Sequence, residues 1–228
     1  MRAVSAVIFD FDYTLADSSE GIIQSIAYAL GALGLPGVSD DQARRTIGLS
    51  LPDTLVALHG PEAAPQADAF SRLFIASSDR VMVEMTDLLP ATRGTLATLR
   101  QRGFPLGVVS TKYRYRIEGV FERDAISAFS TIVGGEDVHA HKPDPESLWL
   151  ALARMEQRPE TVLYVGDSET DGQAAQRAGM PFCAVLSGVT LQSALAQYAP
   201  VAILTDVGGL VDLLPSRPGL PICSTVKK

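Results

Sequence analysis

Cysteine is nearly missing from this chain: of 228 residues only Cys183 and Cys223 carry a thiol, and neither belongs to a CxxC pair. That excludes a disulfide framework and the ligand spacing of a structural zinc site. A chain of this length buries about 70% of the surface its unfolded form exposes, so its core needs neither staple. Long apolar runs are lacking too. Nowhere do ~18 consecutive apolar residues occur, which excludes a transmembrane helix. The N-terminal run in MRAVSAVIFDFD is cut by Asp10 and Asp12 before it reaches signal-peptide length. Nor is there a dense Lys/Arg run: 19 basic residues against 26 acidic ones leave a formal charge of −7. This balance argues against nucleic acid or an anionic membrane as partner. The expectation is a soluble, cytoplasmic protein of one large domain or two small ones.

What the sequence does have is a series of short apolar runs, at 4–9, 105–109, 161–165, 181–186 and 201–204, none alternating polar with apolar residues. Runs of this kind fit strands buried on both faces of a parallel sheet. Between them lie segments with helical spacing. Leu96 and Leu99 precede a stop at Gly103; Leu148, Leu152 and Met155 form a stripe; Ala174, Ala175 and Ala178 form a small-residue face closed by Gly179. Strand and helix alternating in this way predict an α/β fold, a doubly wound parallel sheet with right-handed crossovers. The rhythm breaks once. Nearly a hundred residues separate the first two runs, and those from about 20 to 85 have a helical pattern instead. Ile22, Ile26, Leu30 and Leu33 form a stripe ending at Gly34, short helices fit 40–47 and 51–58, and Phe70, Leu73, Phe74 and Val81 mark a longer one. The pattern predicts a helical domain over 17–86 inserted into a core of 1–16 and 87–215. Its linkers fall near 16–19 and 86–90, and 216–228 reads as a frayed tail.

In doubly wound sheets ligands bind beyond the carboxyl ends of the strands, so polar residues there carry the chemistry. The first run ends in Asp10-Phe11-Asp12-Tyr13-Thr14, the second in Ser110-Thr111-Lys112, and the third in Gly166-Asp167-Ser168-Glu169-Thr170-Asp171. Lys142-Pro143 opens the helix between the last two. Four carboxylates, one hydroxyl and one lysine are thereby expected round a single pocket. Crowded carboxylates repel one another unless a cation or a shared proton offsets the charge. An all-oxygen set such as Asp10, Asp12 and Asp167 suits a hard ion that keeps its waters, Mg²⁺ above all. Such a site leaves room for an anionic substrate, with Ser110 as hydrogen-bond donor and Lys142 as fixed positive charge on phosphate oxygens. An Asp carboxylate can attack phosphorus, and a second Asp two residues on can protonate the leaving oxygen and later deprotonate water.

Each of these residues also has a purely structural reading. Asp10 and Asp12 fit a solvated turn, Asp167 and Asp171 the acid-favouring first turn of a helix, Lys142 a surface lysine and Ser110 a strand cap. Their joint placement favours function. His59, His139 and His141 read as surface residues. Lys112, Arg114 and Arg116 read as a solvated helix face, with attraction of an anionic substrate by Lys112 or Arg114 as the lesser option. Tyr113 and Tyr115 interleave with them, but one short cluster in an acidic chain is poor support for nucleic acid. Cys183 reads as a core residue.

Taken together, DFDYT at 10–14, VVST at 108–111, KPDP at 142–145 and GDSETD at 166–171 resemble, in order and over about 4–213, the motifs of the haloacid dehalogenase-like superfamily. The chain looks most like its phosphoglycolate phosphatase-like members, which carry a helical cap after the first strand. The resemblance implies that Asp10 is nucleophile and metal ligand, and that Asp12 is general acid/base and a ligand through its backbone carbonyl. Ser110 and Lys142 would hold the phosphoryl group, Thr14 and Thr111 would brace the substrate side, and Asp167 would complete the metal site. Asp171 would anchor a metal-bound water or Lys142. Asp17-Ser18 resembles the hinge into the cap, and the loop with Gly48 and Ser50 resembles the one that meets the leaving group. The implied activity is Mg²⁺-dependent hydrolysis of a small phosphorylated metabolite through an aspartyl-phosphate, with 2-phosphoglycolate first and sugar phosphates, nucleotides and pyrophosphate after it. Tyr13 departs from the pattern, since many such enzymes have Gly there; its ring is expected to face the cap. The rivals are a phosphomutase of the β-phosphoglucomutase-like type, a pyrophosphatase, and a receiver-like signalling module. Receiver modules are shorter and have no inserted domain, and Asp12 argues against carbon–halogen cleavage.

Overall fold

The computed structural model describes residues 4–215, so the tail expected over 216–228, with Cys223, lies outside the described residues. Its elements are β1 (Ala6–Phe9), β2 (Ala16–Asp17), α1 (Ser19–Ala32), α2 (Asp40–Arg44), α3 (Leu51–His59) and α4 (Ala67–Val81). There follow β3 (Asp87–Leu88), α5 (Thr92–Gln101), β4 (Leu106–Val109), α6 (Arg114–Arg123), β5 (Thr131–Val133) and α7 (Glu146–Arg154). The chain continues through β6 (Val162–Gly166), α8 (Glu169–Ala178), β7 (Phe182–Val185), α9 (Gln192–Leu195), β8 (Ala202–Leu204) and α10 (Leu210–Leu213).

Six strands form one parallel sheet in the order β5-β4-β1-β6-β7-β8. The apolar runs do not alternate because both faces are covered. Val7 and Phe9 of β1 point into a cluster with Leu96 and Leu99 of α5 and Ile117, Val120 and Phe121 of α6. Ala6 and Ile8 point the other way, onto Leu148 and Leu152 of α7 and Ala174, Ala175 and Ala178 of α8. Burying each such large side chain contributes roughly 1.5–3 kcal/mol, and small residues on α8 let that helix approach the sheet closely. The doubly wound α/β reading therefore holds. β5 escaped the sequence reading: its three residues lie at a sheet edge, too few to display a period.

The helices α1 to α4 share a separate apolar cluster built on Ile26, Leu30, Leu55, Phe70 and Phe74. The two segments joining this layer to the sheet are not loose linkers. They pair as a two-stranded antiparallel ribbon, Ala16 opposite Leu88 and Asp17 opposite Asp87. Thr92 further ties the return segment down by donating to the Leu15 carbonyl at 2.6 Å.

Candidate active site

Register explains why distant motifs meet. Phe9 lies opposite Val108 on β4 and Val165 on β6, so the residues after all three strands emerge side by side at the carboxyl end of the sheet. Asp10, Ser110 and Asp167 are 3%, 5% and 5% exposed there, and Lys142 is 3% exposed. Lys142, expected at this pocket rather than on the surface, lies in it. Its Nζ sits 2.8 Å from Asp10 Oδ1 and 2.6 Å from Asp171 Oδ1, and also donates to the Tyr164 hydroxyl at 3.2 Å. Tyr164, which the sequence reading passed over as a strand residue, donates in turn to Asp171 Oδ1 at 2.8 Å.

Asp171 satisfies both of its readings at once. Its Oδ2 accepts from the backbone N–H and hydroxyl of Ser168 at 3.1 and 2.5 Å, while Ser168 Oγ accepts from the Asp171 N–H, a capping box that starts α8. The other oxygen fixes Lys142. Asp167 Oδ1 accepts from Thr14 Oγ1 at 3.1 Å, so Thr14, fully buried, braces this carboxylate. Ser110 is fixed by its N–H on the Val133 carbonyl at 3.0 Å, and its Oγ accepts from the Lys112 N–H at 3.2 Å.

Two glycines that sequence reasoning missed make space for these acids. A Cβ on Gly188 would lie 1.9 Å from Asp167 Oδ2, and one on Gly166 would lie 2.5 Å from Asp171 Cγ. Gly166 stands inside a quoted motif, whereas nothing in the sequence near Gly188 points to the site.

Crowding sets the electrostatics. Burial, with Asp171 and Asp12 adding and Lys142 opposing, raises the Asp10 carboxyl to about 7. Burial beside Asp171 and Asp10 pushes Asp167 well above the usual range. Burial also works against the Asp171 anion, but Lys142, Ser168 and Tyr164 outweigh it and hold that carboxyl low. Lys142 is raised, since its two carboxylates overcome its own desolvation. One cation thus serves a cluster with more acids than it can neutralise. Asp10, Asp167 and Asp171 can each offer an oxygen with the three atoms within 4.8 Å of one another. Asp10 Oδ1 and Asp12 Oδ1 are buried, each facing a lysine Nζ, at 2.8 and 3.4 Å. All-oxygen donors and surplus negative charge fit Mg²⁺.

The basic cluster is not a solvated face. Lys112 is 8% exposed, with its Nζ 3.4 Å from Asp12 Oδ1, and burial pulls its ammonium down against the offset from Asp12. Arg116 is also buried and binds Asp79 of α4 through Nε at 3.0 Å and a terminal nitrogen at 2.6 Å. Helical spacing alone could not reveal this, because the partner, Asp79, belongs to a different layer. Arg114, read as part of a solvated helix face, is half-exposed and pairs with Asp137 at 3.1 Å.

Gly48 and Ser50 come over the site from the helical layer. Thr111 Oγ1 donates to the Gly48 carbonyl at 3.4 Å, and all three line a chamber with Asp12. The Ser50 hydroxyl is engaged in starting α3, accepting from the Asp53 N–H and donating to Asp53 Oδ2 at 2.6 Å. The surface reading of the histidines holds for His139 alone. His141 is half-buried at the chamber wall, where burial lowers its imidazole, and His59 Nε2 is buried without a partner. Tyr13 has φ of 59° because the turn closes tightly, its N–H reaching the Ala16 carbonyl at 2.7 Å. This left-handed backbone suits glycine. Its buried hydroxyl lies beside Arg44 of α2 and Ser19 of α1 without regular hydrogen-bond geometry, so the ring does face the helical layer.

Comparison with known proteins gives concordant matches. Residues 7–185 match the family described as haloacid dehalogenase-like hydrolase. A phosphoglycolate phosphatase of Yersinia pestis is 35% identical over 226 residues, covering 96% of this chain and 95% of that protein. Among solved structures, one described as a haloacid dehalogenase-like hydrolase from Bacteroides fragilis has a TM-score of 0.87 at 40% identity, covering 91% of this chain and 99% of its own. One from Thermotoga maritima, described as a β-phosphoglucomutase, has a TM-score of 0.69 at 25% identity, covering 92% and 98%.

Proposed function

Because this chain belongs to the haloacid dehalogenase-like hydrolase family, we propose that it is a Mg²⁺-dependent phosphatase of small phosphate monoesters, phosphoglycolate-like or sugar phosphates. The observation that carries the reading is the buried cluster at the sheet's carboxyl end, where Lys142 pins Asp10 and Asp171 with Asp167 alongside. The naming of the Yersinia pestis relative supports the phosphatase class.

Asp10, Asp167 and the backbone carbonyl of Asp12 would hold Mg²⁺, with Asp171 fixing Lys142 or a metal-bound water. When bound, the ion would neutralise charge on the phosphoryl oxygens. An Asp10 carboxylate oxygen attacks phosphorus as the bond to the leaving oxygen breaks, giving an aspartyl-phosphate. Asp12 passes its proton to the leaving alcohol, then takes a proton from the water that attacks phosphorus. That second attack releases inorganic phosphate and restores the Asp10 carboxylate. Ser110 and Lys142 donate to the transferring oxygens, and the helical layer over Asp12 excludes bulk water.

The test is phosphate release from a generic aryl phosphate, with and without chelator, in wild type, Asp10→Asn and Asp12→Ala. Both variants and the chelator should abolish turnover; unchanged turnover in any arm sinks the mechanism. The likeness to the Thermotoga maritima structure keeps phosphomutase as the second reading. A mutase would need a bisphosphate activator, whereas a phosphatase releases phosphate without one.

A further inference from the structure

A chamber of about 150 Å³ lies between α1, α3 and α4 on one side and the loop after β4 on the other. Asp12, Thr111 and Lys112 line its floor, whereas Asp10, Ser110 and Lys142 do not. It is therefore the space for the leaving group rather than for the phosphoryl group. At about 10–15 Å³ for each water-sized atom, it holds on the order of ten non-hydrogen atoms, more than the glycolate of 2-phosphoglycolate. Its walls include Ile22, Ile26, Ile47, Leu49, Phe74 and Met82. Apolar side chains make up the larger share of the lining, with Thr46, Thr54 and Ser71 set among them.

Two cations face this mostly apolar space, and they differ in what they have left to offer. The Arg116 guanidinium is engaged by Asp79 and the Ile75 carbonyl. Lys112 has three donors, yet its ion-pair partner is Asp12 at 3.4 Å, well beyond the 2.7–2.9 Å usual for a charge-assisted hydrogen bond. Asp12 is also the group that serves the ester oxygen in the proposed mechanism. An anion that pairs with Lys112 must then sit within a few bonds of that oxygen.

We propose that the substrate is the phosphate ester of an α-hydroxy acid with an apolar side chain, its carboxylate on Lys112 and its apolar body in the chamber. This rests on the phosphatase reading above. The carboxylate adds the hydrogen bonds that Lys112 lacks, and the side chain displaces water from Ile22, Ile47 and Phe74.

Phosphate release would be measured in wild type, Lys112→Met and Lys112→Arg on three esters. O-phospho-3-phenyllactate has both features, 2-phosphoglycolate the carboxylate alone, and 2-phenylethyl phosphate the apolar body alone. Wild-type kcat/KM for the first should exceed each of the others by about tenfold or more. Lys112→Met should reduce the phenyllactate-to-phenylethyl ratio by a similar factor, and Lys112→Arg should keep most of it. That ratio is insensitive to general damage at Asp12, which slows both esters together. A wild-type preference for 2-phosphoglycolate overturns the apolar body, and a ratio unmoved in Lys112→Met overturns the role of Lys112. If Lys112→Met does not fold, the wild-type ratios decide. Absence of phosphate release from every ester, a generic aryl phosphate included, would instead bring down the phosphatase reading itself.

Discussion

Gly188 provides the sharpest test of the proposed metal site, because its side chain is a single hydrogen and it has no part in the proposed chemistry. Adding one methyl group, Gly188→Ala, places a carbon 1.9 Å from Asp167 Oδ2, while real Cβ atoms essentially never come within 3.0 Å of a neighbour. The carboxylate must then retreat by about 1.1 Å. Asp167 is 5% exposed and held by Thr14 at 3.1 Å, so its retreat breaks that hydrogen bond. A metal ligand is useful only within about 0.2 Å of its proper distance, and a 1 Å misplacement at a site costs roughly a hundredfold in rate. Gly188→Ala should therefore raise the Mg²⁺ concentration for half-maximal phosphate release by about 10–100-fold and lower kcat about a hundredfold. The assay is phosphate release across a Mg²⁺ titration, with far-ultraviolet circular dichroism to confirm the fold. A folded Gly188→Ala protein with wild-type Mg²⁺ dependence would refute the placement of Asp167 as a ligand.

Other expectations follow from the same geometry. The Asp10 carboxyl sits at about 7 against an ordinary 3.8, so its contribution to stability is full below about pH 4 and lost as pH rises through about 7. Asp167 shifts in the same direction and Asp171 in the other. In chelator, Tm should be lower at pH 8 than at pH 5, and Mg²⁺ should raise it more at pH 8; equal metal effects at both would contradict the cluster's charge imbalance. Tyr13→Phe removes a hydroxyl without a regular hydrogen bond and should change stability in urea by less than about 0.5 kcal/mol. Asp79→Asn should cost about 1 kcal/mol or less in urea unfolding, since Asp79 is largely solvent-screened at 43% side-chain exposure. A larger loss would mean that Arg116 depends on that pair for its burial.

Much of the site was legible because the chemistry is concentrated at strand ends. Asp10, Ser110 and Asp167 each follow an apolar run, and a parallel sheet with aligned register brings such residues together. Ser110 was readable as functional only through its neighbours, whereas Lys142 stood out because a positive charge is disfavoured at the start of a helix. Arg116 was misread because burial of a helix residue is decided by what packs on it, here Asp79 of α4 about forty residues earlier, and Lys112, just before that helix, is buried against Asp12. Tyr164 looked like one more apolar strand residue until its hydroxyl met Lys142 and Asp171.

The sequence by itself determined the layered α/β core, since local periodicity and unbroken apolar runs follow from which faces are buried. It also determined the identity of the acids and the lysine, because their chemistry does not depend on where they lie. Only the tertiary structure decided that Lys112 is a buried cation against Asp12, that Gly188 makes space for Asp167, and that a mostly apolar chamber opens beside the acids. Each of those depends on atoms brought together from segments far apart in the chain. Their distances arise from packing rather than from spacing along the sequence.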